Sequence, residues 1–264
     1  MASLRGKTLF ITGASRGIGK AIARVLADEG VDVALVARSS DALEQTAAGI
    51  RAATGRNVLA VPADTGEDGQ VREAVARVGQ TFGHIDILVN SAARPGGNPA
   101  RLPDLTDAAF LPDLNVKVLG YARCIREVAP YMQRQHWGRI INVVGMAARQ
   151  PAGIVGSVRN AAVVAMSRNV AEQLGQYGIT VNVVHPSAVR TERSLAQVRE
   201  LADREGITFE AAEQRRLGDA NLLRRTIDAT EIGFVVAFLA SPKGVAVNGE
   251  SISVSGGTGG SISY

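Results

Sequence analysis

The 264-residue chain is 46% hydrophobic and 20% charged, a balance that supports one large buried core and excludes an intrinsically disordered protein. Its 29 basic and 25 acidic residues leave a formal charge of +4, with the basic residues scattered among acids, which argues against a nucleic-acid-binding surface. The single cysteine, Cys124, excludes an intramolecular disulfide and a cysteine-rich metal site and reads as an inert thiol in a helix. No His, Cys, Asp or Glu spacing suggests a metal, and no run of about 18 consecutive apolar residues suggests a membrane span. The first residues lead directly into a strand with no signal-peptide core, so a cytoplasmic protein is expected.

In chain order, a strand over residues 8 to 12 runs into Thr12-Gly13-Ala14-Ser15-Arg16-Gly17-Ile18-Gly19 and then an amphipathic helix. Gly13, Gly17 and Gly19 let the backbone turn tightly, approach a pyrophosphate and pack the helix against the strand, whose free N–H groups then face the anion. A dinucleotide site is therefore expected. Further strands are expected at 32–37, 57–61, 86–90, 139–144, 179–185 and 251–254, separated by helical stretches. The runs are short, β-branched and almost continuously apolar, as in parallel strands covered on both faces. The fold class is α/β, a single-domain Rossmann-type doubly wound parallel sheet of about seven strands spanning residues 1–264.

Arg38 follows the second strand, where Rossmann-type folds choose between cofactors: an acid holds the ribose 2′-hydroxyl, whereas arginine accommodates a 2′-phosphate. Ala37-Arg38-Ser39 therefore favours NADP over NAD. A long helix over about 107–135 carries Phe110, Leu114, Val118, Tyr121, Ile125, Val128 and Met132 at steps of three and four, a core or interface stripe. A charged, helix-prone insertion occupies about 191–225. Asp228 with Glu231 three residues on marks a further helix start.

The TGxxxGxG loop, with this strand and helix order, resembles the short-chain dehydrogenase/reductase family along nearly the whole chain. The resemblance implies cofactor contacts at Gly13, Ser15, Arg16, Gly17, Ile18 and Gly19, with Arg16 and Ser39 joining Arg38 at the 2′-phosphate. It places Asp64 and Thr65 beside the adenine, Asn90 and Ala92 after the fourth strand, and Pro186 and Thr191 near the nicotinamide half. It makes the insertion at 191–225 a substrate lid, for which Leu195, Leu201, Ile207 and Phe209 suggest apolar contacts. It also implies a homodimer or homotetramer through the helices at 107–135 and 157–175, where Ala161, Ala162 and Ala165 permit close approach. The glycine- and serine-rich end, Gly256 to Tyr264, either reaches a neighbouring subunit or frays.

The chemical half departs from the family. A tyrosine, a lysine four residues later and a serine at the end of the fifth strand are expected, the tyrosine exchanging a proton with substrate oxygen. Aligning Asn160-Ala161-Ala162 with the family's Lys-Ala-Ala puts Gly156 at the tyrosine, Asn160 at the lysine, still beside the cofactor, and Gly145 at the serine. The tyrosines at 121, 131, 177 and 264 have no lysine four residues on, so no shift of register restores the motif. Asn115 matches the family asparagine that holds a relay water. Ser157 and His185 are the other catalytic candidates, against ordinary readings as a helix-start residue and a packed histidine bonded to backbone. Arg149 and Gln150 are possible substrate contacts by position, and Arg159 either reaches the nicotinamide ribose or lies exposed.

Two functions from different classes follow. One is an NADP(H)-dependent oxidoreductase acting on a carbonyl or polarised double bond of a small molecule with an atypical proton donor. The alternative is an NADP-binding protein of the same fold without redox activity, either a non-redox enzyme or a cofactor-sensing binding protein.

Overall fold

The computed structural model describes residues 4–94, 102–151 and 153–258, so the last part of the glycine-rich C-terminal segment lies outside the described residues. Strands β1 (Thr8–Thr12), β2 (Asp32–Ala37), β3 (Val58–Pro62), β4 (Ile87–Asn90), β5 (Gly138–Val143), β6 (Ile179–Pro186) and β9 (Ser251–Val254) form one sheet. Its order is β3-β2-β1-β4-β5-β6-β9, and every neighbouring pair is parallel. All seven expected strands form, with ends displaced by no more than one residue. Short strands β7 (Val189–Arg190) and β8 (Ile227–Asp228), which the sequence pattern did not announce, pair with each other at the two ends of the insertion.

Successive side chains of a strand point to opposite faces, and β1 shows the consequence. Leu9 and Ile11 join Ile22 and Leu26 of helix α1 (Gly17–Asp28), Leu43 and Ile50 of α2 (Ser40–Thr54), and Ile232 and Val236 of α9 (Ala229–Ala240). Phe10 enters the opposite layer with Val75 of α3 (Asp68–Phe82), Val128 of α5 (Gly120–Arg134) and Leu174 of α6 (Ile154–Leu174). The strand order reverses between β1 and β4, opening a crevice at their carboxyl ends where such folds bind ligands.

The expected long helix over 107–135 is divided. α4 (Asp107–Leu114) passes through a π-turn at Asn115–Leu119 before α5 begins. The wider turn shifts the face that follows it. Tyr121, Ile125, Val128 and Met132 are buried, whereas Phe110, Leu114 and Val118 are only half-buried. α6, with 21 residues, is the longer helix. Asp228 and Glu231 form the expected capping box at the start of α9: the Asp228 carboxylate accepts from Thr230 N at 2.9 Å, and Asp228 N donates to Glu231 at 2.9 Å.

The insertion folds into α7 (Glu192–Glu205) and α8 (Phe209–Glu213), followed by a second π-turn at Gln214–Gly218. Leu201, Ile207 and Phe209, expected to face substrate, instead pack with Val198, Ala202, Ala212 and Leu217 in a small core of the insertion itself. A segment crossing the sheet edge needs its own apolar centre to hold two helices together.

Candidate active site

The glycine loop has a shape that only missing side chains permit. Gly13 and Gly17 have φ of +66° and +59°, and a Cβ on Gly13 would stand 2.8 Å from the Ser91 carbonyl oxygen. A Cβ on Gly19 would run into the Gly13 carbonyl, so α1 packs against the loop with no room for a side chain. Thr12 Oγ1 accepts from Ser91 N at 3.1 Å and Ala92 N at 3.2 Å, tying the segment after β4 to the end of β1. Thr46 donates to the Ser15 carbonyl at 3.0 Å, and Ile18 packs on the core beneath.

At the start of α1, Gly17 N donates to Glu192 Oε2 at 2.9 Å, while Lys20 Nζ lies 3.8 Å from the same carboxylate. An anion group thus sits where the unpaired N–H groups and the helix dipole favour one, standing in for a phosphate. Thr191 packs its methyl over Gly17, with Cγ2 3.7 Å from the place of an added Cβ, and caps α7 by accepting from Ser194 N. Arg16, Arg38 and Ser39 are exposed along the rim, and Arg38 Nη1 is 3.9 Å from Asp64 Oδ2. A side-chain-free cradle, a carboxylate at the helix start and two exposed guanidinium groups together fit a dinucleotide pyrophosphate with a further phosphate.

Behind this rim, Asp64 accepts from Gly66 N at 2.8 Å. Thr65 is buried, and its hydroxyl reaches the Val116 carbonyl at 3.4 Å. Asn90 donates to Asn142 Oδ1 at 2.9 Å, and Asn142 donates to Ser167 at 2.8 Å. The buried Asn90 Oδ1 has no partner among the described residues. Pro186 is buried at the end of β6.

The resemblance aligns Gly145, Gly156 and Asn160 with the family's serine, tyrosine and lysine. A Cβ on Gly145 would have only Asn160 Nδ2 near it, at 3.5 Å, and the buried Asn160 Oδ1 has no partner among the described residues. Asn115 has both ends of its side chain occupied. Its Nδ2 donates to the Gly66 carbonyl at 3.1 Å and its Oδ1 accepts from Arg123 at 2.9 Å, so both ends tie the π-turn to the loop after β3. Ser157 is half-buried in the first turn of α6, its backbone N donating to the Gly153 carbonyl at 2.9 Å.

His185 is fully buried, with Nδ1 3.0 Å from the Gly145 carbonyl and Nε2 2.5 Å from Ser251 Oγ. Burial pulls its pKa below 6.5, the Gly145 carbonyl opposes this, and the charges of Arg149 and Lys117 add to it. Both ring nitrogens thus have packing partners, the arrangement of the ordinary reading. Arg149 also donates to the Ser251 carbonyl. Arg159 is neither exposed nor alone: its Nη1 bonds the buried Asp113 at 2.5 Å. Tyr121 donates to the Val143 carbonyl at 2.8 Å, and burial raises its pKa, so it is no substitute for the missing tyrosine. Burial pushes the Cys124 thiol up to about 12, as an inert thiol requires.

The residue that sequence reasoning missed is Lys117. It stands three residues after Leu114 and four before Tyr121, on the face of the apolar stripe, where its charge hid it from a reading by hydrophobic residues; it lies in the π-turn and is 4% exposed. Burial and, secondarily, the Arg159 guanidinium pull its pKa from 10.5 to about 7, with Asp113 opposing. A cavity of about 480 Å³ between α6 and the β6–β9 edge, lined by Arg149, Arg168 and Glu250 among others, includes none of the cofactor positions.

The reversal of strand order, with a glycine cradle at its crevice, defines a dinucleotide-binding protein of the Rossmann type. Residues 13–259 match a family model described as Enoyl-(Acyl carrier protein) reductase. The chain is 37% identical over 255 residues to the short-chain reductase protein NovJ of Streptomyces niveus, covering 94% of this chain and 92% of that one. It is 30% identical over 255 residues to the NADPH-dependent reductase BacG of Bacillus subtilis, covering 96% and 97% of the two chains. L-sorbose reductase from Gluconobacter frateurii, solved with NADPH and L-sorbose, superposes with a TM-score of 0.93 at 29% identity, over 99% of this chain and 100% of that one. The chain belongs to the short-chain dehydrogenase/reductase family.

Proposed function

We propose that this protein is an NADP(H)-dependent oxidoreductase that acts on a carbonyl or polarised double bond of a small molecule, with a proton donor other than the family tyrosine. The observation that carries this reading is the intact cradle at Gly13, Gly17 and Gly19 with Arg16 and Arg38 exposed beside it. The NADPH held by the sorbose reductase and the name of the Bacillus relative support the choice of cofactor.

When bound, the nicotinamide supplies or accepts hydride. The loop amides of Ser15 to Gly19 hold the pyrophosphate, Arg16, Arg38 and Ser39 the 2′-phosphate, and Asp64 and Thr65 the adenine side. Asn90, Ala92, Asn160, Pro186 and Thr191 orient the nicotinamide half. Orientation alone contributes roughly 7–11 kcal/mol to such reactions, whereas a general acid contributes about 10²- to 10⁴-fold, so the loss of one acid leaves the redox reading chemically sound.

The test is the loss of NADPH absorbance with a panel of L-sorbose, 1,2-diketones and enones. Oxidation matched mole for mole by product supports the reading. Binding of NADPH without oxidation by any of them favours the second reading, a non-redox protein of this fold, to which Gly145, Gly156 and Asn160 already point.

The same reading extends to assembly. Leu111, Leu119 and Val158 are exposed large apolar residues on α4, the π-turn and α6, and Ala161 and Ala165 lie exposed beside Val158. They fit a homodimer or homotetramer joined through these helices, and light scattering of a monomer would contradict it. Among the described residues no helix is long and apolar enough to cross a membrane, and we place the protein in the cytoplasm.

A further inference from the structure

Among the described residues, the lysine in the π-turn has an aromatic ring near its charge but no carboxylate bonded to it. Its ammonium lies 5.8 Å from the centre of the Tyr121 ring. Charged or titratable groups face it from every neighbouring element: Asp113 from α4, Tyr121 from α5, Arg159 from α6 and His185 from β6. Asp113 is already bonded to Arg159, and among the described residues the Lys117 ammonium makes no hydrogen bond or salt bridge. Burying an unpaired ammonium is costly, and a methionine would fill similar space without that cost.

Its location supplies a use. His185, which feels the Lys117 charge, is bonded to the carbonyl of Gly145, and Arg159 lies beside Asn160 on the helix that also carries Gly156. The π-turn that holds Lys117 packs against α6, the helix that carries Gly156 and Asn160, and Asn160 in turn lies beside Gly145. The unpartnered Asn160 Oδ1 is a second polar group there without a structural task.

We propose that Lys117 is the proton-transfer residue of this site, acting through its ammonium on the oxygen of a ketone or aldehyde substrate. The proposal rests on the oxidoreductase reading above. In the reductive direction an Nζ–H bond of Lys117 breaks as an O–H bond forms on the substrate oxygen. The carbonyl carbon receives a hydride, with its electron pair, from the reduced nicotinamide, which is oxidised. The neutral Lys117 amine then takes a proton from solvent. Near pH 7 the group is divided between ammonium and amine, the condition under which one side chain both gives and regains a proton efficiently.

The chain has only four lysines, at 7, 20, 117 and 243, so lysine labelled with ¹³C at Cε gives four resonances to titrate. One resonance is expected to titrate near pH 7 and to be missing from Lys117→Met. With 9,10-phenanthrenequinone as the carbonyl probe, Lys117→Met is expected to lower kcat by about 10²- to 10⁴-fold while NADPH affinity is kept. Lys117→Arg, whose guanidinium does not release its proton, is expected not to restore it. In the unaltered protein kcat for quinone reduction falls as pH rises through about 7, following loss of the Lys117 proton.

A Lys117 resonance titrating near pH 10 overturns the proposal, and this readout needs no variant to fold. Unchanged kcat in Lys117→Met also overturns it, and either result leaves the oxidoreductase reading standing if the quinone is reduced. Failure of the unaltered, NADPH-bound protein to reduce the quinone or any carbonyl of the panel overturns the oxidoreductase reading, and this proposal with it.

Discussion

The two halves of the site are built on different principles. The cofactor half is made of backbone: glycines whose missing side chains leave a cradle, a helix start aimed at an anion, and exposed arginines at the rim. The region around α6 carries buried charge instead: Asp113 bonded to Arg159, and Lys117 on the π-turn that packs against that helix. Backbone recognition tolerates little variation, since an added carbon atom collides at once. A proton-transfer group is defined by its location and pKa, so another residue type on another helix is able to take the part.

The comparison is tested most severely by removing the buried charge. Lys117 holds its proton less tightly when folded, at about 7 against 10.5, so between these values the unfolded chain binds more protons and stability rises with pH. Below pH 7 the burial penalty is fully present. Lys117→Met is therefore expected to stabilise the protein by on the order of 4 kcal/mol at pH 6, with the gain fading toward pH 10.5. Urea unfolding at several pH values checks this, and a gain that is the same at every pH would remove the buried ammonium from the account.

In the other half, Gly19→Ala places a carbon against the Gly13 carbonyl and is expected to weaken NADPH binding by about 100-fold, roughly 3 kcal/mol. Calorimetry beside a circular-dichroism check of the fold would show it. Arg38→Asp is expected to weaken NADPH by about 10- to 100-fold and to spare NADH, as loss of charge-assisted bonds to a phosphate requires. Equal losses for the two nucleotides would break the 2′-phosphate assignment.

The smallest expected effect concerns the lid. Glu192 occupies the helix start that a phosphate needs, so Glu192→Gln weakens an internal competitor and should tighten NADPH binding by about 2- to 5-fold. An unchanged dissociation constant would mean that the carboxylate does not compete.

The same contrast decides what was legible in the sequence. Parallel strands buried on both faces write themselves as short β-branched runs, and a glycine that must avoid a collision leaves no substitute, so the sheet and the cradle could be read directly. The Asp228–Glu231 box was also readable, because capping is local chemistry. The π-turn was not. It depends on how α4 and α5 settle against Thr65 and α6, and it holds both Asn115, bonded to Arg123, and the buried Lys117. Arg159 lacked a local signal for the same reason, since its partner Asp113 lies 46 residues away in sequence. The apolar residues of the insertion were recognisable as apolar, but periodicity does not say whether such residues face a substrate or one another.

The measurement that bears most directly on the account is a calorimetric titration of the purified protein with NADPH and, in parallel, NADH. The account predicts NADPH binding at least about tenfold tighter than NADH, the share expected from charged hydrogen bonds to the 2′-phosphate. Equal affinities would contradict the roles of Arg16 and Arg38, and binding of neither nucleotide would contradict the cofactor site itself.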